Sequence, residues 1–369
     1  MGLRPEELRG GSVPQGGSKT ERLQSAGVTG ARAVARAADI LRAGGTVAFP
    51  TETVYGLGAN ALDPAAVAAI FTAKQRPAWD PLIVHIDSAA MLPQVASIPA
   101  PRSARIAALM QAFWPGPLTL LLPRAAGIPD AVTAGRALVG VRMPAHPVAL
   151  DLIRQAGVPI AAPSANLFSR PSPTAVAHVL QDLDGRIDAV LDGGPTRVGV
   201  ESTVIGPDPG DPHGFLVYRP GAVSLDMLRA VCRAVPAPRP GSPSAPAALL
   251  PSPGMGIRHY APRARLMLVR GIAASGRPLE QALMPAIDEA ATIDANIGVM
   301  LPDGWNASSA TAVFRWGPWH DAELLSRLLF AGLRLLDERG VRVIVCPVPE
   351  MGGLGEALRD RLEKAARTE

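Results

Sequence analysis

The sequence predicts an α/β protein of two domains joined by a proline-rich linker. Three observations carry that expectation. Short apolar runs rich in β-branched residues alternate with capped segments of helical period, the mark of layered α/β folds. At 369 residues the chain exceeds one ordinary core. Residues 236–263 change character to Pro, Ser, Ala and Gly, beginning "PAPRPGSPSAPAALLPSPGMG".

The elements follow in order. Residues 1–30 are Gly/Ser/Gln/Arg-rich and read as a flexible tail. A helix is expected from Ala31 to Arg42, stopped by Gly44, and "TVAFP" follows as a buried strand. "DPAAVAAIFTAKQ" opens a helix with Asp63 as N-cap and Pro64 in its first turn. "LIVHI", "LTLLLP", "ALVGVRMP" and "VPIAA" read as strands, separated by the helices "RSARIAALMQAFW" and "HPVALDLIRQAG". "SPTAVAHVLQDL" is a helix with Ser172 as its expected cap. "DAVLDGG", "STVIG" and "FLVYRPG" are strands, and "SLDMLRAV" is the last helix of a first domain spanning 31–235. Beyond the linker, residues 264–369 alternate four strands with three helices, a small α/β layer fold.

Composition narrows the function. Hydrophobic residues at 48% and charged residues at 18% describe a globular protein. No apolar run approaches the roughly 18 residues that span a bilayer, and the first residues lack a signal-peptide core; a cytoplasmic location is expected. Cys232 and Cys346 lie far apart and read as buried hydrophobes. The net charge of +4 permits an anionic ligand without demanding nucleic acid. Of 36 basic residues only Lys19, Lys74 and Lys364 are lysines, and Lys74 alone lies inside the body of the chain. Lysine is a mobile point charge where arginine is a fork, which singles Lys74 out.

"GGTVAFPTETVYGLG" ends a core strand on Thr51, Glu52 and Thr53. A turn could use those hydroxyls, yet ligands also gather at strand carboxyl ends. Similar polar ends recur in "APSAN", "GVEST" and "VRMP". Lys74 and Arg76 either favour a helix C-terminus or clamp a phosphate. His85 fits a core histidine or a ligand for a small polar group. Arg142, ending an apolar strand, needs an anionic partner or solvent. Ser164, Asn166 and Ser172 offer hydroxyl and amide groups, Ser172 as a helix cap or a phosphate ligand; Ser202 fits an ordinary strand hydroxyl; Arg219 and Tyr260 suit a nucleotide or simply pack. No Walker A, Gly-x-Ser-x-Gly, His-Glu-x-x-His or Cys-x-x-Cys pattern occurs. The residues alone reach an α/β protein with a polar, basic pocket for an anion.

Taken together and in order, "FPTETVYGLG", "AKQRP", "PLIVHI", "FWPGPLTLLLP", "VGVRMPAHP", "APSAN", "SPT", "GVESTV", "RPG" and "SPGM" followed by "RHYAP" resemble the threonylcarbamoyl-AMP synthases of the two-domain, Sua5 type. Lys74-x-Arg76 with Ser164-x-Asn166 matches the family signature. The resemblance runs over residues 31–263, and the tail has the pattern of that type's second domain. It implies a YrdC-like twisted mixed sheet with helices around an open basic pocket, then a smaller Rossmann-like domain. It implies synthesis of L-threonylcarbamoyladenylate and pyrophosphate from L-threonine, bicarbonate or CO2, and ATP. The product would serve a threonylcarbamoyl transferase complex that modifies the adenosine beside the anticodon of tRNA; direct tRNA contact would be weak.

By the same resemblance Thr53, His85, Arg142, Ala162 and Ser202 match the threonine side, with Arg142 on the carboxylate. Lys74, Arg76, Asp80, Leu138, Ser164, Asn166, Ser172, Arg219 and Tyr260 match the ATP side, Lys74 and Arg76 being catalytic. Mg2+ would arrive with ATP and no tightly held metal is expected. The linker carrying Tyr260 would serve as a lid. Asp80 stands where the family has Asn, Gly256 and Ile257 where Lys and Tyr are common, and Phe168 and Arg170 where residues are smaller. The alternative is an RNA- or nucleotide-binding protein on the same fold without synthase activity.

Overall fold

The computed structural model describes residues 19–27, 30–238, 259–271 and 278–367. Gly256, Ile257 and most of the expected linker therefore lie outside the described residues.

The first domain carries strands β1 (Glu21–Gln24), β2 (Val47–Phe49), β3 (Gly56–Asn60), β4 (Ile83–His85), β5 (Leu118–Pro123), β6 (Leu138–Arg142), β7 (Ile160–Ala161), β8 (Ala189–Asp192), β9 (Thr203–Pro207), β10 (Phe215–Arg219) and β11 (Ala234–Pro236). They form one mixed sheet in the order β1-β8-β2-β3-β7-β4-β6-β5-β9-β10-β11. Its helices are α1 (Gly30–Arg42), α2 (Pro64–Lys74), α3 (Ser103–Phe113), α4 (Asp130–Thr133), α5 (Pro147–Ala156), α6 (Val176–Leu183) and α7 (Leu225–Arg229). Helix α2 starts as its sequence dictates. Asp63 accepts from the Ala65 and Ala66 amides, and Pro64 sits where no donor is needed.

Three expectations change. Residues 21–24, read as part of a tail, form an edge strand parallel to β8, a pairing across some 168 residues that local composition does not reveal. The Gly-rich "GLGAN" is itself a strand, β3, antiparallel to β2. Its Gly58 is forced, because a Cβ there would lie 2.7 Å from the Phe49 ring and 2.8 Å from Ile160. Ser172 does not cap α6; Ala175 holds that position and makes no side-chain cap.

The second domain contains β12 (Arg265–Val269), β13 (Ile297–Pro302), β14 (Ala312–Gly317) and β15 (Val343–Pro347), all parallel in the order β12-β15-β13-β14. Helices α8 (Leu279–Ile293), α9 (Ala322–Glu338) and α10 (Leu354–Ala365) cover it. Such a parallel sheet is buried on both faces, and β13 and β15 are buried throughout. Cys232 and Cys346 are free and buried, as read.

The two domains share a core. Val54 and Val200 of the first domain, and Tyr260 beyond it, pack in one apolar cluster with Trp316, Leu329 and Phe330 of the second. Buried ion pairs cross the same boundary: Arg334 with Asp182 at 2.7 Å and Arg361 with Glu201 at 2.6 Å. Among the described residues no helix is long and apolar enough to cross a membrane.

Candidate active site

Strand β2 stops at Phe49 because the chain must reverse into β3, and the polar cluster builds that reversal. The Thr51 hydroxyl accepts from the Thr53 and Val54 amides, both at 3.2 Å, and donates to the Val54 carbonyl at 2.6 Å. Its neighbours then turn to a different task. Thr53 Oγ1 accepts from Arg142 Nη1 at 3.0 Å. Glu52 takes Arg142 Nη2 at 2.5 Å and the Ala145 amide at 3.1 Å. Turn and site are one structure here.

This end of the sheet borders a cavity of about 50 Å3 whose lining includes Thr53, His85, Arg142, Ala162 and Ser202. All five were expected on the threonine side. Register explains their meeting, since β4 and β6 are parallel with His85 opposite Arg142, and β7 places Ile160 against His85. His85 is buried against the Phe49 ring edge and its Nδ1 has no protein partner. Burial, with Arg142 nearby, lowers its pKa from 6.5 to about 3, so the ring is neutral near pH 7. Arg142 already has its anionic partner in Glu52, and its Nε donates to the Gly116 carbonyl. One N–H on each terminal nitrogen is left over after these bonds.

The same cavity is also lined by Arg76, Ser164, Arg219 and Tyr260. Arg76 pairs with Asp80 at 2.9 Å and donates to the Asp80 and Pro81 carbonyls. Burial pushes the Asp80 carboxyl up and the Arg76 guanidinium down, against their mutual attraction. Asp80 thus stands behind Arg76 and does not line the cavity. Leu138 does not line it either; it packs against Ile83, Leu121 and Val204. Arg219 donates to the Ser202 carbonyl and hydroxyl, both at 3.0 Å, and that hydroxyl also meets Thr119 at 2.8 Å.

Lys74 departs from expectation. It is 1% exposed, lies behind the cavity wall, and its ammonium donates to the Ser164 and Asn166 carbonyls. Burial and Arg76 hold its pKa well below the ordinary lysine value. The lysine therefore ties down the Ser164–Asn166 loop instead of reaching into the cavity. Asn166 continues the brace, donating to the Leu167 and Arg170 carbonyls while its Oδ1 has no protein partner. Ser172 donates to Glu201, which lines the cavity.

A series of ring contacts runs from Phe168 to Phe330 along the cavity. His259 meets Phe168 at 5.7 Å and Tyr260 at 4.1 Å, and Tyr260 stacks on Phe330 of the second domain. Tyr260 is held at φ 63°, a left-handed conformation that costs a non-glycine residue energy. Its hydroxyl and His259 Nδ1 are buried without protein partners. The unusual Phe168 finds its purpose here, meeting His259, Trp79 and the Arg76 guanidinium. Arg170 reaches Asp337 of α9 at 3.4 Å, and Asp337 also accepts the Arg263 and Ala264 amides. Sequence reading did not single out Glu201 or His259 as site residues. Both lie inside quoted segments, "GVESTV" and "RHYAP", and that was their available signal.

The family model described as "Telomere recombination" matches residues 39–221, and that described as "Threonylcarbamoyl-AMP synthase, C-terminal domain" matches 223–367. A curated threonylcarbamoyl-AMP synthase of Pyrococcus abyssi is 43% identical, over 89% of this chain and 93% of its own. Its Bacillus subtilis counterpart is 42% identical, over 90% and 92%. A crystal structure of P. abyssi Sua5 complexed with L-threonine aligns at a TM-score of 0.80 and 40% identity, covering 94% of this chain and 97% of that one. Two-domain architecture, site geometry and these likenesses agree: the chain belongs to the threonylcarbamoyl-AMP synthase family.

Proposed function

We propose that this chain is an L-threonylcarbamoyladenylate synthase, a nucleotidyltransferase that makes threonylcarbamoyl-AMP and pyrophosphate from L-threonine, bicarbonate or CO2, and ATP. The observation that carries the reading is one cavity whose lining combines two kinds of chemistry. A neutral imidazole, two hydroxyls and the Arg142 guanidinium share it with Arg76, Arg219, Ser164 and an aromatic ring. The unpartnered buried atoms His85 Nδ1 and Tyr260 Oη belong to side chains of that lining. Buried polar groups are normally satisfied, so bound substrate is the natural partner for each.

In this mechanism the threonine carboxylate takes the remaining N–H groups of Arg142, whose plane Glu52, Thr53 and Gly116 fix. The threonine amine and CO2 combine to a carbamate, releasing a proton. A carbamate oxygen then attacks the α-phosphorus of ATP, the bond to the bridging oxygen breaks, and pyrophosphate leaves. No covalent protein intermediate is required. Catalysis rests on orientation and on Arg76 and Arg219 stabilising phosphate charge in a water-poor site. Lys74 acts by holding the Ser164–Asn166 loop against the nucleotide. Mg2+ bound with the triphosphate would help neutralise phosphate charge beside Arg76 and Arg219. Among the described residues Glu52, Asp80 and Glu201 are each engaged by an arginine.

His259 and Tyr260 lie along the cavity lining. The segment bearing them would act as a lid over bound ATP and shield the labile carbamate from water. The product then passes to the threonylcarbamoyl transferase complex that modifies the adenosine beside the tRNA anticodon. The test is pyrophosphate release from ATP with bicarbonate, with and without L-threonine, using L-serine as control. Release that needs threonine and bicarbonate, and collapses in Lys74→Ala and Arg142→Ala, supports the reading. ATP binding without threonine-dependent release rejects it.

A further inference from the structure

One arginine of the second domain is buried at the edge of the cavity formed by the first. Arg361, in α10, is 0% exposed. Its Nε donates to Glu201 Oε2 at 2.6 Å and its Nη1 to Asp360. Its Nη2 faces the Glu201 carbonyl at 3.4 Å. The guanidinium carbon also lies 5.2 Å from the centre of the Tyr260 ring. Glu201 in turn lines the cavity and accepts from Ser172 through its other oxygen. Asp360 is shared with Lys364 at 2.9 Å.

Chemistry explains why this position carries an arginine. Only a planar fork can meet a carboxylate, a second acid and an aromatic face at once. Glu201 is the difficulty that the fork resolves. A bare carboxylate there would repel the phosphates that Arg76 and Arg219 are placed to hold, in surroundings too dry to screen it. Compensation from within the first domain falls to Arg219, which is already committed to Ser202.

We propose that Arg361 is a positioning residue of the synthase pocket: the second domain supplies the cation that neutralises Glu201 and thereby holds Ser172 and Tyr260 in place for ATP. The first domain's pocket is incomplete without the second. This gives the C-terminal domain a direct part in nucleotide binding, and it rests on the synthase reading above.

The experiment compares full-length wild type, Arg361→Gln, Glu201→Gln and the double variant. Each is assayed for threonine-dependent pyrophosphate release, for KM of ATP and of threonine, and for melting temperature. A lone buried charge is strongly penalised, so Arg361→Gln should raise KM for ATP at least about tenfold with KM for threonine within about twofold. Glu201→Gln in the Arg361→Gln background should recover most of the ATP affinity while leaving melting temperature low, since the ion pair is still missing. A mere staple of the fold predicts otherwise: both KM values would follow melting temperature and the double variant would rescue nothing. That result overturns the proposal. If Arg361→Gln does not fold, Arg361→Lys keeps charge without the fork and should still raise KM for ATP selectively; unchanged KM would overturn the proposal. If wild type shows no threonine-dependent release, the functional reading fails by itself. ATP affinities of the same four proteins by calorimetry then decide Arg361, and no ATP binding by wild type would sink both.

Discussion

Arg142 Nη2 and Glu52 Oε1 lie 2.5 Å apart, with both side chains buried. The pair joins the end of β6 to the turn between β2 and β3, and Glu52 also holds the Ala145 amide. Removing one partner strands the other, at a cost of about 3–5 kcal/mol. Glu52→Ala should lose that much stability in urea denaturation and raise KM for threonine more than KM for ATP. Glu52→Gln keeps the shape and should lose less than half as much. Equal losses would mean that charge is irrelevant at this position.

Asp80, where the resemblance led us to expect asparagine, is buried in an ion pair with Arg76 at 2.9 Å. Asp80→Asn removes one negative charge from behind the phosphate wall while retaining a carbonyl acceptor for Arg76. KM for ATP should fall or stay within about twofold, whereas Asp80→Ala should cost about 3–5 kcal/mol of stability. A severalfold rise in KM for ATP in Asp80→Asn would show that the carboxylate itself assists the nucleotide.

Local pattern reached only polar strand ends and a basic pocket; it was the family resemblance that named Thr53, His85, Arg142, Ala162 and Ser202 together, and the sheet brings those residues to one cavity. Other roles depended on partners that no local pattern announces. Glu52 looked like part of a turn until Arg142 closed on it. Lys74 stood out by its rarity, yet whether its ammonium faces ligand or backbone was a matter of packing. Ser172 fitted the rule for a cap, and its hydroxyl instead found Glu201. Arg361 belongs to "RDRLEKA", read only as part of a C-terminal helix, and its partner Glu201 lies 160 residues away in the first domain.

The buried histidines make stability depend on pH on the acid side. His85 falls from 6.5 to about 3 and His178 to about 4, in both cases chiefly by burial, and burial also holds His259 well below its ordinary value. Between the lowered values and 6.5 the unfolded chain binds more protons than the native one, so stability rises with pH across that window. It is fully present above about pH 6.5 and is lost progressively as pH falls. Urea denaturation from about pH 7.5 down to about pH 5 should show this decline, and His178→Gln should make it shallower. A flat profile would contradict the neutral, buried state of these rings.

Gly199 marks where the second domain presses on the threonine side. Its φ is +83°, and a Cβ added there would lie 2.4 Å from the Arg327 Cα and 2.4 Å from the Ser326 carbonyl oxygen, both in α9. Its amide donates to the Thr53 carbonyl at 3.0 Å, and the adjacent Val198 carbonyl accepts from the Ser326 hydroxyl at 2.9 Å. Any side chain must push α9 away or drag Thr53 with it. Gly185 offers the control, since its φ is +73° but nothing lies within 4 Å of its missing Cβ. Gly185→Ala should cost only the left-handed backbone penalty of about 1–2 kcal/mol and leave synthesis intact. Gly199→Ala adds overpacking against a helix backbone, about 1–3 kcal/mol more, and should raise KM for threonine through Thr53. Denaturation and threonine-dependent pyrophosphate release read the two effects separately. Equal stability losses in the two variants, with threonine binding unchanged, would mean that the second domain does not bear on Thr53 through this contact.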